Sequence, residues 1–219
     1  MLPAKLSEAA KDFSQREGVT LFVTLLAALK TLLHLYTGED DLRVATDVAN
    51  RNRPLTEGLF GPITNTVILR TSLCGDPSAR EVIRRVRATT RGALANQDIP
   101  FEAVVEALER DRAVKHAALA QVKMALQSDS LRPVVSSDHA LAFEEVDPGM
   151  LLPLVTVTTF DAILMLRDST KGLVGTCVYK PHLFGVEAID RLLQDFQQVL
   201  QHMVMQPERA ISMIEVSPN

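Results

Sequence analysis

The chain predicts an α/β fold: a mixed β-sheet covered by helices, in the manner of an α/β sandwich. Two observations lead there. Helical periodicity at both ends and in the middle alternates with short β-rich runs, and those runs are joined in some places by tight turns and in others by helices. Hairpins therefore mix with crossovers, and no internal repeat or low-complexity linker divides the 219 residues. A chain of this length buries roughly three quarters of its unfolded surface, so a real core needs no disulfide support.

Taken in order, residues 3–17 read as a polar-leaning helix closed by Gly18, and Thr20 as the N-cap of a second helix ending at Thr37 and Gly38. That second helix, LFVTLLAALKTLLHLY, is apolar on nearly every face, which places it between other elements. LRVATDVA (42–49) and TNTVILRT (64–71) read as strands around a loop punctuated by Pro and Gly. DPSAREVIRRVRATTRGALA follows as an amphipathic helix with Asp76 as its cap, Pro77 at its first position, and Val82, Ile83, Val86, Ala93 and Leu94 on one side. In NQDIPFE (96–102) the residue before Pro100 is pushed out of the α region. A further helix therefore starts there. Strand candidates come near 121–127, 140–146, 154–168 and 172–180, the last two forming a hairpin. A final helix over 185–205 puts Ile189, Leu192, Leu193, Phe196, Leu200 and Met203 on one face. The stretch 128–152 is rich in loop residues but marks no domain boundary.

Charge and composition exclude several classes of function. With 23 basic and 27 acidic residues the net charge is -4, which argues against nucleic acid and anionic membrane as partners. The longest apolar stretch, Val19–Leu29, is too short to span a bilayer, and the N-terminal MLPAKLSEAAKDF is no secretory signal. Cys74 and Cys177 are far apart and outside any CxxC, so they read as reduced thiols of a cytoplasmic protein.

Motifs of chemistry are scarce. His34, His116, His139, His182 and His202 show no metal-ligand spacing to one another or to cysteine, and GxSxG, Walker and GxGxxG patterns are missing. Residue types and spacing therefore nominate no catalytic residue and no metal ligand. One charge pattern stands out: Arg80, Arg84, Arg87 and Arg91 fall at i, i+4, i+7 and i+11, beside the apolar face of their helix. They form either a solvated helix face or a dock for an acidic partner or phosphate, where guanidinium forks are well suited.

Three ordered stretches carry a resemblance. VATDVANRNRP (44–54), FGPITNTVILR (60–70) and NQDIPFE are similar to successive blocks of the condensation domains of nonribosomal peptide synthetases; NQDIPFE resembles the family's HQDxPFE block almost letter for letter. The close of the chain, TFDAILMLRD, GLVGTCVYKPHLF and MQPERAISMIEV, resembles the family's as well. The chain departs from the pattern at Pro62 and Ile63, where the family has aromatics. A second departure is RAVKHAALAQV (112–122), which keeps little of the family's RDxSRNPLFQV block.

The resemblance implies a chloramphenicol acetyltransferase-like lobe. It implies that residues 1–219 are the C-terminal subdomain of a condensation domain, without the N-terminal lobe that bears the HHxxxDG histidine. Such a domain joins carrier-bound acyl and aminoacyl thioesters by an amide bond, and this lobe alone would be inactive. It would bind no cofactor itself; the phosphopantetheine arm of a peptidyl carrier protein would tether the substrate. Its partners would be the N-terminal lobe, carrier proteins and an adjacent adenylation domain.

By the same likeness Thr64, Asn65 and Thr66 would border the substrate channel, with the Asn65 amide either turned toward it or capping a loop-to-strand transition. Arg70, Gln97 and Asp98 would brace the lobe, Gln97 and Asp98 by locking the turn with hydrogen bonds, and Phe101 would be the core anchor of the helix that starts at Pro100. The Arg80–Arg91 stripe would meet the carrier. The alternative is a non-catalytic module of the same fold that binds a carrier protein or recruits a tailoring enzyme.

Overall fold

The computed structural model describes residues 2–51, 56, 59, 61, 63–110, 119–128, 159–169 and 172–216. Among the described residues, five helices and five strands follow one another as α1 (Ala4–Arg16), α2 (Leu21–Thr37), β1 (Asp41–Val48), β2 (Asn65–Ser72), α3 (Ala79–Ala95), α4 (Phe101–Arg110), β3 (Val122–Ser128), β4 (Ala162–Ser169), β5 (Gly172–Tyr179) and α5 (Val186–Met205). A single 3₁₀ turn, Ile211–Met213, comes after α5. The strands form one sheet in the order β2-β1-β3-β4-β5. The outer pairs β1–β2 and β4–β5 are antiparallel, and the inner pairs β1–β3 and β3–β4 are parallel.

α2 lies against β1, α3 against β2 and α1 against β5, while α5 packs on α1 and α2. The core between them is made by Phe13, Leu25, Leu29, Leu69, Ile83, Met124, Leu166 and Phe196, each at most 2% exposed. Alternation along β1 explains the sidedness: Leu42, Val44, Thr46 and Val48 are buried against the helices, whereas Asp41, Arg43 and Asp47 are exposed. Register carries the second face across to Thr66 and Arg70 of β2 and Lys123 of β3. No single helix among the described residues is long and apolar enough to cross a membrane.

α2 is buried from Val23 to Leu32, as its all-round apolar pattern requires. Its ends are chemically defined: Thr20 Oγ1 accepts the Val23 amide at 3.3 Å, and Gly38 takes the left-handed conformation at φ 72° while its amide returns to the His34 carbonyl. Lys30 is the polar exception within it. Its ammonium is wholly buried and donates to the carbonyls of Leu69 (2.6 Å) and Leu42 (3.3 Å) and to Thr71 Oγ1 (2.7 Å), which fastens α2 to the adjacent strands β1 and β2. At the other end of the helix, Tyr36 donates to the buried Asp195 of α5 at 2.7 Å.

Several local expectations shift. The N-cap of α3 is Ser78, whose hydroxyl accepts the Glu81 amide at 3.3 Å, and not Asp76. Asp76 stands at φ 47° and turns its carboxylate to the amide (3.0 Å) and hydroxyl (2.8 Å) of Ser212, so it ties the chain's end to the start of α3. Leu94 is 43% exposed, and Thr90 takes the buried position on that side of α3. Phe101 is half-buried, and Val105 is the buried residue of α4. β4 begins only at Ala162, because the Asp161 amide bonds the Gln121 carbonyl (2.8 Å) and its carboxylate holds Lys180 (2.8 Å). The strand expected over 140–146 lies outside the described residues, as do 154–158.

The β4–β5 turn closes on Gly172, at φ 108°, where an added Cβ would stand 3.3 Å from Ser7 Oγ. That hydroxyl also accepts the Leu173 amide at 3.1 Å, so α1 reads the turn directly. Cys74 is exposed and Cys177 half-buried, and both are free thiols; burial pushes the Cys177 thiol up to about 11.

Candidate functional site

The end of the sheet where β1 stops and β2 starts gathers side chains from stretches far apart in sequence. Val48 pairs with Asn65 there, and Asp47 with Thr66. Just past β1, Asn50 has φ 52°, a left-handed conformation that Asn tolerates better than most residues. It leads into Arg51, whose guanidinium donates to the carbonyls of Thr56 (3.2 Å), Leu59 (2.7 Å) and Gly61 (3.0 Å). One guanidinium fork thus supplies a donor to three carbonyls of this connection.

Asn65 closes the other end of the same connection. Its side-chain amide donates to the Gln97 carbonyl at 2.8 Å and the Ile99 carbonyl at 2.7 Å. Its side-chain oxygen accepts from the Phe101 amide (3.1 Å) and from its neighbour Thr66 (2.9 Å). These four partners exhaust what a carboxamide can offer. Since two are carbonyls and two are amides, they also fix which atom is nitrogen. The Asn65 amide is thus committed within the lobe, to a turn completed by the bond from the Ile99 amide to the Asn96 carbonyl.

Across the second face of the sheet, the Thr66 hydroxyl donates to Asp47 at 3.0 Å, Asp47 pairs with Lys123 at 2.6 Å, and the Lys123 ammonium stands 5.3 Å from the centre of the Phe160 ring. Thr64 is exposed beside this row.

The bracing set resolves differently for each member. Arg70 Nε donates to Asp41 at 2.8 Å, and that bond, more than any other effect, holds the Asp41 carboxyl below its usual range. Gln97 braces through its backbone: the carbonyl meets Asn65, and no hydrogen bond of its side chain occurs among the described residues. Asp98 is exposed in the same turn. A side chain of β2 thus holds the turn through the carbonyls of Gln97 and Ile99.

Two of the four arginines in the α3 stripe are already engaged. Arg80 makes a two-bond contact with Glu17 (3.0 and 2.9 Å) and pairs with Glu208. Arg84 grips Glu81 with two bonds of 2.6 Å, and Arg85 adds a third at 2.8 Å. Arg84 first and Arg85 second hold the Glu81 carboxyl down at about 2. Arg87 and Arg91 are exposed and pair with nothing among the described residues.

No cluster of three or more possible metal ligands exists among the described residues. His34 Nδ1 lies 2.9 Å from the Glu39 carbonyl and 3.5 Å from Asp40, His182 is exposed ahead of α5, and His202 is half-buried on α5. A cavity of about 300 Å³ opens at the opposite end of β1, against Asp41, Arg43, Leu33 and Leu119. Sequence reasoning missed Arg51 and Lys123. The available signal for Arg51 was an arginine directly after a strand and before a segment punctuated by Pro and Gly.

Comparison with known proteins gives one consistent answer. The family profile described as "Condensation domain" matches residues 1–219. A linear gramicidin synthase of Brevibacillus parabrevis is 39% identical over 211 residues, which is 96% of this chain and 4% of that protein. Malpinin synthetase of Mortierella alpina is 36% identical over 213 residues, 97% of this chain and 3% of that protein. The chain thus spans only a few per cent of the length of these relatives. Among solved structures, the X-domain from teicoplanin biosynthesis superposes with a TM-score of 0.83 at 23% identity over 99% of this chain and 48% of that one. The first condensation domain of the CDA synthetase gives 0.74 at 17% identity, over 99% and 47%. At these identities the superpositions speak for the fold, the chloramphenicol acetyltransferase-like α/β sandwich.

Proposed function

The chain belongs to the condensation-domain family, and on that footing we propose that it is the C-terminal lobe of a nonribosomal peptide synthetase condensation domain. Its coverage of just under half of two single-domain neighbours supports a half-domain reading. The observation that carries most weight is convergence: VATDVANRNRP, FGPITNTVILR and NQDIPFE meet at one end of the sheet through Arg51 and Asn65.

In this reading the Thr64–Thr66 segment borders a channel completed by the N-terminal lobe. Two carrier proteins deliver substrates on phosphopantetheine arms, and an adenylation domain loads one of them. The acceptor amine attacks the donor thioester carbonyl; a C–N bond forms, the C–S bond breaks, the thiol leaves, and the amine loses a proton. By the family resemblance, the imidazole that handles this proton is that of the HHxxxDG motif of the other lobe; this chain has no HH pair. What this lobe contributes is placement. Two reactants held in line gain effective molarities of about 10⁵ M or more, and donors aimed at the developing oxyanion add to that. The setting is the cytoplasm, where Cys74 and Cys177 stay reduced.

The chain alone should form no amide from carrier-loaded donor and acceptor, and fusion behind an HHxxxDG-bearing lobe should bring turnover. Amide from the chain alone, or none from the fusion, overturns the proposal.

Arg87 and Arg91 favour a second reading, in which a module of this fold recruits a carrier or a tailoring enzyme without catalysis. The complex of the teicoplanin X-domain with OxyB is a precedent of similar fold, with a TM-score of 0.79. A titration with carrier protein in which Arg87→Glu and Arg91→Glu weaken binding, paired with a fusion that makes no amide, would select it.

A further inference from the structure

Asn65 does more than occupy the edge of a channel. Its side chain joins the first residue of β2 to the turn at 97–99 and to the first amide of α4. Pro100 precedes helix α4 and has no side-chain acceptor to offer; its carbonyl accepts from Ala103 and Val104. Asn65, 36 residues upstream, supplies the missing acceptor to Phe101. It also holds the Gln97 and Ile99 carbonyls that end the turn. A single carboxamide with no bond to spare thus links the start of β2 to the entry of α4.

We propose that Asn65 is a positioning residue of the condensation reaction. It touches neither substrate; it acts by keeping α4, the 97–99 turn and the Thr64–Thr66 segment in one rigid arrangement at the floor of the channel. This rests on the condensation reading above. Loss of the carboxamide releases the turn and uncaps α4, while the sheet pairing Asn65↔Val48 and the core beneath Leu69 remain. A small misplacement of such a floor lowers turnover much more than affinity.

Two variants separate the parts. Asn65→Ala removes all four bonds. Asn65→Asp keeps the acceptors for Phe101 and Thr66 but loses both donors and sets a carboxylate against two carbonyls. Hydrogen exchange on the chain alone should show the Phe101 amide about tenfold faster in Asn65→Ala and near its original rate in Asn65→Asp. In the two-lobed fusion, with a carrier-bound donor and a soluble amine acceptor, both variants should lower kcat by tenfold or more at unchanged KM, with the melting midpoint little moved.

Unchanged Phe101 exchange in Asn65→Ala overturns the inference. So does a raised KM at unchanged kcat, which would mean that Asn65 meets the acceptor itself. A loss of turnover that merely tracks global melting overturns it as well. If the unaltered fusion makes no amide, the parent reading falls and takes the catalytic consequence with it, whereas the exchange result still stands or fails on the geometry alone.

Discussion

The Lys30 ammonium lies 2.6 Å from the Leu69 carbonyl, inside the layer between α2 and strands β1 and β2. Burial, partly offset by Asp41, pulls its pKa down from 10.5 to about 7. The folded protein therefore binds fewer protons than the unfolded chain between about 7 and 10.5. Charging costs stability: the cost is complete below pH 7, and it is relieved as the pH rises toward 10.5. We expect the unfolding free energy to carry an upward component over that window which Lys30→Met lacks. Lys30→Met should cost about 1–3 kcal/mol at pH 10 for the orphaned acceptors, and less at pH 6. Urea titrations of both proteins at pH 6, 8 and 10 check this; parallel profiles would refute it.

Tyr36 and Asp195 make the corresponding link between α2 and α5. Burial and then the Asp195 hydrogen bond raise the Tyr36 phenol above its ordinary range. Tyr36→Phe should lower stability by about 1–3 kcal/mol, since a buried carboxylate loses a donor. Asp195→Asn, which still accepts the bond, should cost less. Chemical denaturation at neutral pH ranks the two, and the reverse order would count against this assignment.

At the start of α3 the cap and its neighbour have separate tasks. Ser78→Ala should cost about 1 kcal/mol of stability and raise exchange at the Glu81 amide. Asp76→Ala should leave Glu81 protected and expose the Ser212 amide. Exchange measured at those two positions discriminates, and a rise at Glu81 in Asp76→Ala would restore Asp76 as the cap.

Arg51→Lys tests the three-carbonyl clamp. One ammonium cannot replace a fork spread over Thr56, Leu59 and Gly61. The amides of Leu59 and Ile63, which bond the Thr56 and Gly61 carbonyls, should exchange about tenfold faster, the equivalent of about 1.4 kcal/mol, while α2 amides are unaffected. Equal rates would show that the guanidinium is dispensable there.

Much of the architecture could be read from residue order. The all-apolar α2 between Thr20 and Gly38, the amphipathic α5 with Ile189, Phe196 and Met203 inward, and the β4–β5 hairpin are written in local periodicity and turn chemistry, which neighbouring residues impose on one another. The family blocks could also be read as a series. Tertiary structure alone decided that their meeting point is a carboxamide with four bonds, that Gln97 contributes a carbonyl instead of its side chain, that Ser78 displaces Asp76 as the cap, and that half of the arginine stripe is neutralised by Glu17, Glu81 and Glu208. Each of these is a choice of hydrogen-bond partner between residues distant along the chain or competing at one helix end. Spacing restricts where a side chain can stand, but only the folded packing brings a specific donor within 3 Å of a specific acceptor.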